Sequence, residues 1–353
     1  MIAVEHTGYH NVTRPDRHSD LAWYFENGEK LDLLVTFGLP TDKLDASRVR
    51  ELSALGIDSI GLNSRSMTAG KHYRYIPTLK LLPAIIGFDL NTWYADIQCD
   101  YWRSLFRRYG VNIHTTWQRY TPAHRIIATA IRDLGGIATI YRRSFHAVPG
   151  SDIAIDTDIA FNFSGFDTDI DIESGSSVKY YVTTGYIGDH RFRLVRSRAM
   201  EVRRRLFEGG VRRIIAYFDG NSSGAMNAVV QENYSFLLGK LLSDTRLAII
   251  LKIKVPSTLR QRLGTVSDLL DMAIKTGRCV MYEEGSNQGV DPPCLAALSA
   301  DVAIGHLKAG TAALESALAG VPTVLIDRDS WTQSRLYELG PNVAFTDWST
   351  LWQ

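Results

Sequence analysis

The stretch Ala300–Asp327, ADVAIGHLKAGTAALESALAGVPTVLID, decides how the rest of the 353-residue chain is read. An apolar run ends at His306, and Gly310 and Thr311 open a segment of helical spacing that reaches Ala319. Gly320 stops that segment, and Pro322 leads into a second apolar run ending at Asp327. Two strands apolar on both faces, joined through a helix by short links, form the β-α-β unit of a parallel sheet. The helix start at Gly310–Thr311 presents free backbone amides and the positive end of a helix dipole, a setting that suits a phosphate. Glu315, four residues beyond Thr311, lies on the same helical face and is placed to accept hydrogen bonds from ribose hydroxyls. A generic β-α-β unit with Glu315 in solvent uses the same residues.

Working outward, the same alternation extends back to Arg212. The apolar runs RRIIAYFD, RLAIILKIK, RCVMY, DVAIGH, VPTVLID and NVAF read as strands. Between them, helices are expected at Met226–Leu242, Ser257–Lys275, PPCLAALSA, Thr311–Ala319 and Trp331–Leu339. In the N-terminal half, strands are expected at LDLLVTFG, IDSIGL, VNIHTTW, GIATIYRR and VKYYVTTGY, with helices at ASRVRELSALG, Thr92–Tyr109 and Pro122–Leu134. The acid-rich SDIAIDTDIAFNFSGFDTDIDIESGSS between the last two strands shows period-two alternation. The expected fold is α/β: two facing Rossmann-like domains, residues 1–195 on the acceptor side and 196–353 on the nucleotide side, with a cleft between them. In such sheets ligands sit outside the carboxyl ends of strands.

The bulk composition excludes other classes. A net charge of +1 gives no overall field for nucleic acid, and 45% hydrophobic with 22% charged residues is an ordinary globular balance. Cys99, Cys279 and Cys294 show no metal-site or disulfide spacing, as expected of reduced thiols. There is no apolar run of membrane-spanning length and no signal sequence at the start, so a cytoplasmic protein is expected, at most peripheral at the inner membrane face. Walker, G-x-G-x-x-G, G-x-S-x-G and H-E-x-x-H patterns are absent.

The candidate residues lie at strand ends. Asp219 closes RRIIAYFD and opens onto Gly220, Asn221 and Ser222. A carboxylate there is held in one rotamer, as a nucleophile or general base must be, and an Asx turn capping the loop is the structural alternative. Lys252 and Lys254 fall at i and i+2 and would share a face, towards an anion or towards solvent. His306 suits a leaving phosphate or a sugar hydroxyl, or simple packing. Arg142, Arg143, Ser144 and His146 follow GIATIY, where arginines can fork onto an anionic donor or an acceptor saccharide. Tyr186 can stack on a sugar ring or serve as a hinge aromatic. The repeated Asp-x-Asp triplets at Asp156–Asp158, Asp167–Asp169 and Asp169–Asp171 read as a solvated face, with metal binding the lesser alternative.

The segment around Gly310–Glu315 resembles the donor-binding half of glycosyltransferases of the GT-B fold, with their G-T-x-x-x-E…G-x-P pattern, over roughly Arg212–Asp347. The resemblance implies donor contacts by Gly310, Thr311 and Glu315. AYFDGNSSGAMN with LKIKVPS, and GGIATIYRRSF with YYVTTGYIGDH, are similar to bacterial surface-polysaccharide enzymes, in particular the retaining β-Kdo transferases that use CMP-Kdo. That implies transfer of Kdo onto a lipopolysaccharide O-antigen or capsule glycan, through an adduct on an aspartate for which Asp219 is the best match. No cofactor and no metal are expected, because a CMP-sugar carries a single phosphate. The expected partners are a nucleotide sugar and a glycan acceptor, lipid-linked in one version, with further catalytic modules of a longer chain beyond NVAFTDWSTLWQ. Three rivals remain: an inverting transferase using a UDP- or GDP-sugar, a nucleotide-sugar epimerase, and a non-catalytic saccharide-binding module.

Overall fold

The computed structural model describes residues 1–6, 16, 32–37, 46–62, 84–220, 224–282, 291–307 and 310–353. These residues divide into two compact units. Asp16, Ser144–Val148 and Tyr186–Gln353 belong to the second, and the remainder to the first. The division at 185/186 lies ahead of the 195/196 boundary expected from the sequence, which falls inside a continuous helix, Arg191–Glu208.

The first unit is a parallel sheet. Its strands are β1 (Ile2–His6), β2 (Leu33–Phe37), β3 (Asp58–Gly61), β4 (Ile113–Thr116), β5 (Ile137–Tyr141), β6 (Asp156–Asn162) and β7 (Ser177–Thr183). They are arranged β3-β2-β1-β4-β5-β6-β7. The helices are α1 (Ala46–Ala54), α2 (Ala84–Tyr109), α3 (Ala123–Arg132) and α4 (Gly165–Glu173). Strand β1 was not anticipated: Ile2–His6 is short and opens the chain, yet it pairs with both β2 and β4 at the centre of the sheet. Helix α3 turns Ile127, Ala128, Ala130 and Ile131 into the core beside Trp102, Leu105 and Phe106 of α2.

Helix α4 corrects the reading of the acidic run. GFDTDIDIE alternates with period two, but the same residues place Asp167 and Asp171 at i and i+4, on one helical face. Asp167 accepts from the Ser164 amide at 3.0 Å and from its hydroxyl at 3.1 Å, which anchors the helix start. Neither Asp167 nor Asp171 meets solvent. Asp171 takes Arg119 at 2.8 Å and Arg142 at 2.6 Å, and Arg142 also reaches Asp167 at 3.3 Å. Of the aspartates read as a solvated face, Asp167 and Asp171 are instead the anions of a buried ion cluster, whereas Asp169 is exposed and Asp156 and Asp158 pair with Arg132.

In the second unit the strands are β8 (Arg213–Phe218), β9 (Leu247–Lys252), β10 (Cys279–Met281), β11 (Val302–His306), β12 (Thr323–Ile326) and β13 (Ala344–Phe345). Their order is β10-β9-β8-β11-β12-β13, and all pairs are parallel. The helices are α5 (Arg191–Glu208), α6 (Asn227–Ser243), α7 (Leu259–Leu263), α8 (Ser267–Lys275), α9 (Pro293–Leu298), α10 (Thr311–Leu318) and α11 (Trp348–Trp352).

Alternation along the fully buried β9 shows how the two faces are covered. Leu247, Ile249 and Leu251 meet Leu237, Leu238 and Leu241 of α6. Ala248 and Ile250 meet Ala296 and Ala297 of α9, together with Ala216 and Ala303. Alanine on both sides lets α9 lie close to the sheet. Gly305 does the same for α10, because a Cβ there would stand 2.7 Å from that of Ala313.

Two expected helices are shorter than read. Ser257–Lys275 is broken at Gly264, whose φ of 54° is left-handed, and Trp331–Leu339 contains only a 3₁₀ segment, Arg335–Leu339. At the chain's end α11 packs within the second unit's own core, with Trp348 stacked on Phe236 at 5.2 Å.

Candidate active site

In a sheet ordered as the second unit's is, the chain reverses direction of winding between β8 and β11, and the carboxyl ends of those strands flank the crevice where ligands bind. Asp219 and Gly220 follow β8, and His306 ends β11. The two sides lie close together: a Cβ added at Gly220 would lie 3.5 Å from the His306 ring. Asp219 and Gly220, expected at one strand end, and His306, expected at another, thus lie at the same edge of the sheet. Asn221 and Ser222 lie outside the described residues.

The Asp219 carboxylate is not open. Arg262 of α7 donates to both of its oxygens, at 3.2 Å and 2.5 Å, and Tyr234 of α6 donates at 3.3 Å. The two side chains of the ion pair are 2% and 4% exposed. Burial works against the Arg262 charge, and Asp219 outweighs it, holding the guanidinium above its ordinary range. Burial, followed by the Asp219 charge, raises the Tyr234 phenol well above its usual value. A carboxylate so engaged has its lone pairs directed at donors, so attack on an anomeric carbon requires Arg262 to release it first. None of these partners was visible in the sequence, because Arg262 is 43 positions away and lies in a helix that Gly264 interrupts.

His306 continues the network through Nε2, 2.8 Å from the Tyr217 hydroxyl. Burial lowers its pKa against an opposing pull from Asp219, which favours the neutral ring. When the Tyr217 hydroxyl donates its hydrogen bond to Nε2, the hydrogen of the neutral imidazole sits on Nδ1 and is available as a donor. The two lysines separate. Lys252 is the buried last residue of β9, whereas Lys254 lies beyond the strand and is exposed, so they do not form the same-facing pair expected from i and i+2 spacing.

The motif at α10 is also occupied by the unit's own groups. The Phe145 amide donates to the Thr311 hydroxyl oxygen at 2.8 Å. That bond turns the Thr311 proton away from Phe145 and makes the hydroxyl a donor elsewhere, which is what a phosphate oxygen needs. The Phe145 ring stands over Gly310, 3.2 Å from where a Cβ would be.

Glu315 is 1% exposed, not a solvent-facing helix glutamate. One oxygen accepts from the Cys294 amide at 2.8 Å and the other from the Tyr186 hydroxyl at 2.5 Å, so it holds the start of α9 to the start of the second unit. Arg191 reaches the Tyr186 oxygen at 3.4 Å. Burial first and Glu315 second push the Tyr186 phenol well above its ordinary value. Tyr186 therefore hydrogen-bonds a carboxylate here and does not stand open as a stacking ring. Tyr186→Phe is expected to cost about 1.5–3 kcal/mol, because a buried carboxylate oxygen loses a donor. Urea unfolding checks it, and a change below 0.5 kcal/mol would remove Tyr186 from this role.

In the first unit, Arg142 has no exposed side-chain surface and is enclosed by Asp167, Asp171 and Asn162, which withdraws it as a saccharide contact. Burial, followed by the nearby Arg119 charge, lowers its pKa despite both aspartates. Arg143 stays partly exposed with its guanidinium 4.5 Å from the centre of the Trp117 ring. Ser144 and His146 are half-buried and belong to the second unit, whereas Arg142 and Arg143 belong to the first.

The first sheet has its own reversal point, between β1 and β4. Glu5 lies there and accepts from the Thr116 hydroxyl at 2.6 Å, and burial raises its pKa. It thus carries a proton at higher pH than an exposed glutamate does. Sequence reasoning missed it along with β1. Among the described residues, no group of three or more His, Cys, Asp or Glu could hold a metal ion, and no helix is long and apolar enough to cross a membrane.

No protein-family model matches the sequence, and no curated protein matches it. Solved structures do share the fold. The chain is similar to the S. aureus MnaA–UDP co-structure, with a TM-score of 0.54 and 12% identity over 92% of this chain and 78% of that one. It is similar to the UDP-GlcNAc 2-epimerase of Methanocaldococcus jannaschii, at 0.53 and 12% over 98% and 88%. It is also similar to Anabaena HepE in complex with UDP and glucose, at 0.51 and 11% over 98% and 85%. The fold is a pair of Rossmann-like units of the GT-B type. At such identities the likeness speaks for the architecture alone.

Proposed function

We propose that this chain is a glycosyltransferase that takes its sugar from a UDP-sugar. The observation that carries the reading is the second unit's reversal point, where Gly220 and His306 meet beside the Gly310–Thr311 helix start, in a fold shared with two UDP complexes. In this reading the α10 amides and the donor-oriented Thr311 hydroxyl bind the diphosphate, with Lys252 or Lys254 adding positive charge as the leaving group develops. His306 donates from Nδ1 to phosphate or sugar. Glu315 takes the ribose hydroxyls only after Tyr186 releases it. The first unit receives the acceptor, a surface glycan carried on a lipid in the simplest version. The single-phosphate reason for expecting no metal belongs to a CMP-sugar. With a UDP-sugar the α10 amides and the Thr311 hydroxyl carry the diphosphate charge, so UDP binding is expected to survive EDTA, and its loss on chelation would overturn that part of the reading.

Two other readings have specific support. The resemblance of AYFDGNSSGAMN to β-Kdo transferases favours CMP-Kdo and retention through Asp219, and the M. jannaschii likeness favours an epimerase. Thermal unfolding with UDP, CMP, GDP and ADP separates the donors. A nucleotide at about 100 times its Kd stabilises the native state by about 2.7 kcal/mol. UDP alone is expected to shift the transition. A shift with CMP alone would return the Kdo donor, and no shift with any of the four would end the nucleotide-sugar reading. Consumption of the UDP-sugar without an acceptor would identify an epimerase.

A further inference from the structure

We propose that the exposed face of α5 docks the protein onto an anionic membrane surface. The helix RFRLVRSRAMEVRRRLFE contains seven arginines, no lysine and two glutamates, in a chain whose net charge is only +1. Its charge is therefore local, and the structure sorts it. Arg191 is buried near Tyr186, Arg198 pairs with Asp291, Arg203 with Asp301, and Arg204 with both Glu201 and Glu208. Arg193, Arg196 and Arg205 are exposed and have no ion pair among the described residues.

Position on the helix decides what these arginines can meet. Val195, Ala199 and Leu206 form the inward stripe and are fully or almost fully buried. Arg193, Arg196, Met200 and Arg204 recur at i, i+3, i+7 and i+11 and form the outward stripe, with Leu194 and Arg205 along its margin. Leu194 is 38% exposed and Met200 is 42% exposed, two bulky apolar side chains set among arginines. A helix lying in a bilayer interface has this outer face: guanidinium groups fork onto lipid phosphates while apolar side chains enter the acyl boundary. A soluble polyanion would satisfy the arginines equally well but would gain nothing from Leu194 and Met200. The apolar pair selects the bilayer.

The test is co-sedimentation of the full chain with vesicles of phosphatidylcholine, alone or mixed with phosphatidylglycerol. Binding is expected only to the mixed vesicles and is expected to weaken as salt rises. Each arginine lost should weaken binding about fivefold, so Arg193→Glu with Arg196→Glu should reduce it at least about twentyfold. Leu194→Ser with Met200→Ser should reduce vesicle binding several-fold while leaving binding to heparin, a soluble polyanion, unchanged. All four positions are exposed, and circular dichroism confirms that the variants fold. Absence of vesicle binding, equal binding to neutral vesicles, or indifference to the charge reversals would overturn the proposal. Vesicle binding that ignores the serine pair would overturn it in favour of a soluble polyanion.

Discussion

Arg262→Met is expected to destabilise the second unit by about 3–5 kcal/mol, the largest effect of any single change at the candidate site. The substitution keeps most of the apolar stem and removes the charge, which leaves the Asp219 carboxylate buried without its guanidinium, while the Tyr234 hydroxyl still donates to it at 3.3 Å. The cost is therefore mostly the desolvation of an unpaired anion, not the worth of the pair itself. It follows that Asp219→Asn in the Arg262→Met background should restore much of the loss, because the neutral amide is far cheaper to bury and still accepts from Tyr234. Urea unfolding of the two single variants and the double gives the coupling energy. A single variant with wild-type stability would show that Arg262 does not neutralise Asp219 in the folded protein. The double background also separates structure from chemistry. Asp219→Ala combined with Arg262→Met strands no charge, so turnover retained there would remove Asp219 as a nucleophile.

The second large effect belongs to the first unit. Asp171→Ala should cost about 3–5 kcal/mol, because Arg119 and Arg142, 3% and 1% exposed, lose the carboxylate they share, while Arg142 keeps its ion pair with Asp167. Asn162 also loses an acceptor, since its amide donates to Asp171 at 3.1 Å. Asp171→Asn should be milder than the alanine variant, because it keeps an acceptor oxygen for one guanidinium. Hydrogen exchange reads the result locally: amides of β5, β6 and α4 should lose protection most. Loss of nucleotide affinity with those amides still protected would sink the structural account and return Arg142 to the ligand.

The central strands β8, β9 and β11 of the second unit were legible because each is a largely buried apolar run whose neighbours along the chain are helices, and burial on both faces requires that pattern. Strand β1 escaped because Ile2–His6 carries five residues with no preceding context, too few to show a period. Helix α4 escaped because an Ile/Asp alternation over nine residues satisfies two periods at once. Only the presence of Arg119 and Arg142, 52 and 29 positions from Asp171, makes the helical solution pair its charges.

For the candidate site the same division holds. Sequence alone determined that Asp219, His306, Gly310 and Thr311 stand at strand ends or a helix start, with Glu315 one turn inside that helix, since chain direction in a parallel sheet assigns strand ends and the helix starts that follow them to the carboxyl edge. Tertiary structure decided what those side chains do. Arg262 holds Asp219, Tyr217 sets the His306 ring, Phe145 turns the Thr311 hydroxyl, and Tyr186 with the Cys294 amide takes Glu315. Each of these partners comes from a different element, separated by 21 to 166 positions. A local pattern fixes where the backbone turns. The state of a buried polar group depends on whichever donor or acceptor packing brings within about 3 Å, and that is a property of the assembled core.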